Sequence, residues 1–359
     1  MASELQSRDY QDRIVDQTVR HFQDEIPSVG IVSPTGSGKT IMAMRFLKWV
    51  EENHPNMRVN WVAMRRQLLR QSAEMNNEFF GLKNVRFVSM FDKNPPEADI
   101  VVIDELQHSA TESFNHVSNW DLRFLLGMSA TPFRTDKLKL PFNKTIQDAG
   151  IHRLIQEGWL SKYQHWCMEE YTPQSVAEAY LRDQDQWGKT VVFFHQIAQC
   201  EEFQKILADN KVKCEVVSGA TPNAVREEQL DAFDKGEFKV VANVMILTEG
   251  FDCPDLQTVF VRDSAKLPTV QMAGRGFRIH PGKSHCNIVQ SKMSKWQFTK
   301  TAKPERCWVQ KEGKWYALGS NAMVNKVVRS MVHKLADAEA EIPQFILKNR
   351  RKRRIFQEA

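Results

Sequence analysis

"VGIVSPTGSGKTIMAMRF", Val29 to Phe46, sets a short apolar run, a turn-rich stretch and a Lys-Thr pair before a second apolar run. A nucleotide's phosphates need several backbone N–H donors converging on one point with little side-chain bulk, and the amino end of a helix adds partial positive charge. Gly36 and Gly38 suit that demand, with Pro34, Thr35 and Ser37 filling the loop between strand and helix. Ser33 to Thr40 fits G-x-x-x-x-G-K-[ST] except at its first position, where the small Ser33 replaces glycine. Lys39 is then placed to reach the β- and γ-phosphates and the Thr40 hydroxyl to ligate Mg²⁺, so ATP and Mg²⁺ are the expected cofactors. Kinases, GTPases and transporters use the same element.

Outward from this loop, strand-like runs alternate with helical patterns: "MRVNWVAM", "NVRFVSM", "DIVVIDE" and "RFLLGMSAT", then from Lys189 "TVVFFH", "CEVVSG", "KVVANV", "TVFVRD" and "CNIVQ". That alternation predicts parallel sheets covered by helices, an α/β fold in two tandem units. The chain's 359 residues fit two domains of roughly 130 to 150 residues plus an extension. The expected division is 1–140 for the nucleotide-binding domain, 141–164 for a linker, 165–291 for the second domain and 292–359 for the extension. In the extension, "RCWVQKEGKWYALGS" reads as a hairpin turning at Lys311-Glu312-Gly313. A helix follows, with Val324, Val328, Met331, Leu335 and Ala338 on one stripe, and then a basic tail.

Apolar residues make up 42% and charged residues 26%, which argues against a disordered or fibrous chain. No run approaches the roughly 20 apolar residues that span a bilayer, and the first ten residues hold no signal-peptide core, so a cytoplasmic protein without membrane contact is expected. The six cysteines are never closer than 14 positions, which excludes a C-x-x-C zinc or redox motif. Net charge is +5, yet "KNRRKRR" (Lys348 to Arg354) contributes +6 and the remainder sums to −1. A nucleic-acid site in the body must therefore be a local groove.

"DIVVIDELQHS" runs an apolar strand into Asp104-Glu105, at the sheet edge where α/β ligands bind. Asp104 suits Mg²⁺, and Glu105 suits polarisation of an attacking water. "LGMSATPFR" ends a further strand with Ser129, Ala130 and Thr131. Farther on, "VMILTEGFDCPDLQTV" and "QMAGRGFR" add two more motifs, the second being Q-x-x-G-R-x-x-R at Gln271, Gly274, Arg275 and Arg278.

In this order and spacing the motifs resemble those of the superfamily 2 DExD/H-type helicases and translocases, the group with UvsW-like, RadD-like and type III restriction motor-like members. The resemblance runs from about Arg8 to Val289. It implies two tandem RecA-like P-loop domains and a nucleic-acid-dependent ATPase that couples hydrolysis to strand stepping. Arg8 and Gln11 of "RDYQ" would contact adenine, with Asp252 and Gln271 on the nucleotide side. Lys39, Asp104 and Glu105 would carry hydrolysis, while Arg275 and Arg278 act as fingers from the second domain. Gln107 stands where family names place Asp or His, and it would couple the acidic motif to Ser129 and Thr131. Arg65 and Arg66 of "WVAMRRQ", Ser218 and Gly219 of "SGATPNAV", Thr248 and Gly250 would hold the nucleic acid. DNA is favoured over RNA on the resemblance alone. A duplex translocase without strand separation, an RNA helicase and an ATP-gated clamp are the alternatives. A monomer is expected, with a protein partner possible through the extension.

Overall fold

A computed structural model describes residues 8–64, 66–92, 94–104, 122–130, 142–248 and 251–318. Strand β1 (Ser28–Val32) is buried at every position, as a central parallel strand with both faces covered should be. Its neighbours are β2 (Val59–Ala63), β3 (Val85–Ser89), β4 (Ile100–Ile103), β5 (Phe124–Ser129) and β6 (Lys144–Ile146). They form a parallel sheet in the order β3-β2-β4-β5-β1-β6. Helix α1 (Asp9–Gln23) opens with Asp9 and Asp12 and closes with Arg20 and His21, charges that complement its dipole. Tyr10, Ile14, Thr18 and Phe22 recur every four residues on its buried face. Phe22 meets Phe46 of α2 (Lys39–Asn53) and Phe124 of β5 edge-on, and Phe46 and Phe124 meet each other at a tilt. Helix α3 (Arg66–Met75) follows β2.

Helix α4 (Ile151–Gln156) leads to the second unit. There β7 (Tyr163–Met168) precedes α5 (Pro173–Arg182), α6 (Gln184–Trp187), β8 (Thr190–Phe193), α7 (Ile197–Asp209) and β9 (Cys214–Val217). Then come α8 (Asn223–Asp234), β10 (Val240–Asn243), β11 (Thr258–Phe260), α9 (Lys266–Gly274) and β12 (Cys286–Ser291). The Arg306–Lys311 strand, β13, and the Lys314–Ala317 strand, β14, close the described chain. The sheet runs β14-β13-β7-β12-β11-β8-β10-β9 and is parallel except for the β13-β14 hairpin.

Two stretches differ from the division read in the sequence. The segment 141–164, expected as a linker, supplies β6 to the first sheet, where Ile146 is buried beside Ile31. The hairpin, expected in a separate extension, continues the second sheet because Trp308 stacks on Trp166 with ring centroids 4.7 Å apart and Trp315 packs edge-on against it. Glu312 and Gly313 both have positive φ, the signature of the two-residue turn. The helix and basic tail expected after residue 318 lie outside the described residues.

Candidate nucleotide cleft and nucleic-acid face

The strand order explains how distant motifs meet. β4, β5 and β1 are neighbours, so Asp104, Ser129 and the loop after Val32 share one carboxyl edge. The Ser33 amide donates to the Ser129 carbonyl at 3.0 Å, and the Asp104 amide to the Val62 carbonyl at 3.0 Å, which carries the ladder into the site. Gly36 and Gly38 have φ of +81° and +82°, a region that costs other residues strain, and Lys39 begins α2 directly after them. The Ser37 amide donates to the Pro34 carbonyl at 3.2 Å, and the buried Ser37 hydroxyl has no partner among the described residues. A glycine-built nest at a helix amino end, with an unsatisfied hydroxyl in its loop, fits a triphosphate.

From behind, the loop is braced by α1. The Tyr10 hydroxyl and the Gln11 amide both donate to the Ser37 carbonyl, at 2.6 and 2.8 Å. Burial pushes the Tyr10 phenol above its ordinary pKa, so it remains a donor. Arg8 donates to the Tyr10 hydroxyl, and its guanidinium carbon lies 5.4 Å from the centre of the Trp159 ring. Arg8 and Gln11, expected at adenine, are thus engaged with Trp159 and the phosphate loop. Tyr10 and Trp159 carry no weight in the sequence reading, although Tyr10 stands inside the quoted "RDYQ".

The second unit closes the cleft. A cavity of about 330 Å³ is lined by Thr35, Gly36, Gly38, Lys39, Thr40 and Asp104 on one side and by Phe251, Asp252, Arg275 and Arg278 on the other. Thr35 packs against Gly274, and a β-carbon on Gly36 would lie 3.9 Å from Arg278 Cγ. Arg275 is buried and donates to the carbonyls of Phe251, at 2.9 Å, and of Thr248. Arg278 pairs through Nε with Asp252, and both are more than a third exposed to the cleft. Lys283, two strands' turn away, is buried with its ammonium donating to the carbonyls of Pro254, Leu256 and Gly276 at 3.0, 3.1 and 3.0 Å. It ties the loop carrying Asp252 to the segment carrying both arginines.

The remaining expected residues scatter around this cleft. Gln271 is buried within α9. Arg66 is exposed at the start of α3, at the carboxyl end of β2. Ser218 is turned inward, its amide and hydroxyl both engaged with Thr221, while Gly219 is exposed beside it. The Thr248 hydroxyl is buried against the Met245 carbonyl at 2.6 Å. Arg65, Glu105, Gln107, Thr131 and Gly250 lie outside the described residues.

Two α/β units facing each other across one cleft, the first with a phosphate loop and the second with arginines, define a tandem RecA-like ATPase architecture. Residues 4–94 match the family described as type III restriction enzyme, res subunit, and residues 172–280 match the helicase conserved C-terminal domain. The chain belongs to the superfamily 2 helicases and translocases. A Saccharomyces cerevisiae protein named as an ATP-dependent helicase, IRC3, is 24% identical over 349 residues, covering 79% of this chain and 51% of that one. A Haloarcula marismortui protein named as a DNA 3'-5' helicase, Rad25, is 23% identical, covering 76% of this chain and 51% of its own length. The chain thus spans about half the length of these curated relatives. Among solved structures, the type ISP restriction-modification enzyme LlaBIII bound to DNA superposes with a TM-score of 0.63 at 14% identity, over 87% of this chain and 28% of that one. A point variant of Saccharomyces cerevisiae Dbp5 bound to RNA and ADP BeF3 gives 0.57 at 15% identity, over 85% of this chain and 89% of that one. Among the described residues, no helix is long and apolar enough to cross a membrane.

Proposed function

We propose that this chain is an ATP-driven nucleic-acid motor, with DNA as the favoured track. The observation that carries the reading is the single cleft onto which Lys39, Thr40 and Asp104 from one unit and Asp252, Arg275 and Arg278 from the other converge. The Lys39 ammonium and the loop amides bind the triphosphate, and Thr40 and Asp104 would hold a Mg²⁺ ion, which would supply charge neutralisation on the phosphates. Glu105 orients the attacking water. Arg278 exchanges Asp252 for the transferred phosphoryl group, and Arg275 holds the carbonyls of Thr248 and Phe251 beside the cleft. Because the arginines arrive from the second unit, hydrolysis depends on the two units being closed, and that dependence is what converts turnover into stepping. The unit boundary falls between Ile146 and Tyr163, the last strand of one sheet and the first strand of the other in chain order. The described cysteines are all free thiols, consistent with a reducing compartment such as the cytoplasm.

Relatives named as DNA helicases support DNA over RNA, while solved neighbours bound to DNA and to RNA support the architecture for either. The test is ATP hydrolysis titrated with single-stranded DNA, duplex DNA, branched DNA and RNA at one salt concentration, because salt alone shifts such affinities. Stimulation by DNA that is abolished in Lys39→Ala and in Glu105→Gln is expected. Hydrolysis that survives both substitutions, or that no nucleic acid accelerates, contradicts the reading. Strand displacement run beside triplex displacement then separates unwinding from translocation on duplex.

A further inference from the structure

Between Asp255 and Glu305 the sequence holds one acidic residue, Asp263, against nine lysines and arginines, in a chain whose charge apart from the tail sums to −1. Arg275, Arg278 and Lys283 serve the cleft. Most of the others gather at the carboxyl ends of β11 and β12, adjacent parallel strands of the second sheet.

Trp296 lies at the centre of this group, half-buried in the loop after β12. The ammonium groups of Lys266, at the amino end of α9, and of Lys300 each stand 5.3 Å from the centre of its ring. Its indole N–H donates to the Thr301 hydroxyl at 3.1 Å, and its carbonyl accepts from buried Gln290 at 3.0 Å, which fixes the ring on the sheet edge. Lys292 and Lys295 are exposed on the same loop, and Met293 between them is 77% exposed. The single acid is engaged with that loop, since the Asp263 carboxylate accepts from the Lys295 amide at 2.6 Å. Next to it, Arg262 reaches the ring of His195 at 2.9 Å, at the end of β8.

The π-cloud of Trp296 holds both ammonium groups over the ring; phosphates pair with ammonium more strongly, so a nucleic-acid strand that brings phosphates to these lysines draws them aside and leaves the ring face to a stacking base. The carboxyl ends of β12, β11, β8, β10 and β9 form a row that, at strand spacing, runs about 19 Å to Ser218 and Gly219. We propose that the loop 292–301 with Lys266 is a docking platform for a nucleic-acid strand, on which Trp296 stacks against a base and Lys266 and Lys300 hold the flanking phosphates. The platform extends the track of the motor proposed above and rests on that reading.

The experiment measures binding of a fluorescein-labelled 20-nucleotide oligo-dT across a salt series, for the unaltered chain, a Lys266→Glu/Lys300→Glu variant and Trp296→Leu. Melting temperature and hydrolysis without nucleic acid serve as integrity checks, and exposed lysines tolerate reversal without loss of fold. Charge reversal is expected to weaken binding at least tenfold and to flatten the salt slope by about 1.4, the value for two single-strand phosphate contacts. Trp296→Leu is expected to weaken binding about tenfold with the slope retained. Unaltered affinity and slope in both variants, while the parent chain binds, remove the platform and leave the motor reading standing. Polyglutamate that competes as well as oligo-dT, together with full affinity in Trp296→Leu, assigns the surface to an acidic protein and overturns the proposal. A parent chain that binds no nucleic acid overturns the motor reading and the platform with it.

Discussion

Gly38→Ala probes the phosphate loop where backbone and side-chain constraints coincide. Gly38 has φ of +82°, and a β-carbon there would stand 2.4 Å from Gln11 Nε2. The left-handed conformation costs an L-residue about 1–2 kcal/mol. The contact also drives the Gln11 amide off the Ser37 carbonyl, ending a 2.8 Å hydrogen bond, whose net worth is about 1 kcal/mol. The loop conformer that binds phosphate is thereby disfavoured by about 2–3 kcal/mol, which weakens apparent nucleotide affinity about 30- to 150-fold. Gln11→Ala alone loses only the brace and weakens binding about fivefold. In the double variant the contact is gone and the backbone strain remains, so its deficit equals that of Gly38→Ala instead of the sum of the two. Titration of a fluorescent ATP analogue into the four proteins reads out the cycle. Strict additivity, or a Gly38→Ala protein that binds within twofold of the parent, refutes the bracing of the loop by α1.

Three further outcomes follow from the packing. Gly30 and Gly127 are cross-strand partners, and β-carbons there would stand 2.4 and 2.0 Å from the Phe142 ring; Gly127→Ala is expected to cost about 1–3 kcal/mol by chemical denaturation, and Gly127→Ala with Phe142→Ala should add no further overpacking. Lys283→Met leaves three carbonyls without their donor and should destabilise the second unit by about 2–4 kcal/mol, seen as a melting temperature about 5–12 °C lower. Burial holds the His165 pKa below the ordinary histidine value, so the unfolded chain binds the extra proton first, and stability is lost as pH falls through and below the ordinary histidine pKa. His165→Gln should flatten that slope by up to about 1.4 kcal/mol per pH unit, and an unchanged slope in urea melts between pH 7 and 5 assigns it elsewhere.

The phosphate loop was legible because its chemistry is local: strand, glycines, lysine and helix start occupy one uninterrupted stretch. The order of the later motifs was legible for a related reason, since parallel strands deliver their carboxyl ends to one edge and each motif ends a strand. What escaped is tertiary. Nothing in "VGIVS" explains Gly30 until the Phe142 ring is seen resting on the Gly30–Gly127 pair. The three-residue β6 is too short to show periodicity, so the segment around it read as linker. Arg278 and Asp252 stand 26 positions apart, and no pattern announces that they pair. Thr248, read as a nucleic-acid contact, spends its hydroxyl on its own turn while its carbonyl holds Arg275. Trp296 and Lys300 stand after the last recognised motif and Lys266 just before it, at positions to which the resemblance assigns no role.

The proposed motor requires both units to act on one ATP. Its most direct test is ATP turnover with saturating DNA in Arg278→Ala, beside the nucleotide affinity of the same variant. A site shared by the two units gives a turnover rate about 10³-fold lower or worse with affinity changed only modestly, because the guanidinium acts on charge that develops during transfer. A variant that hydrolyses ATP at the parent rate contradicts it.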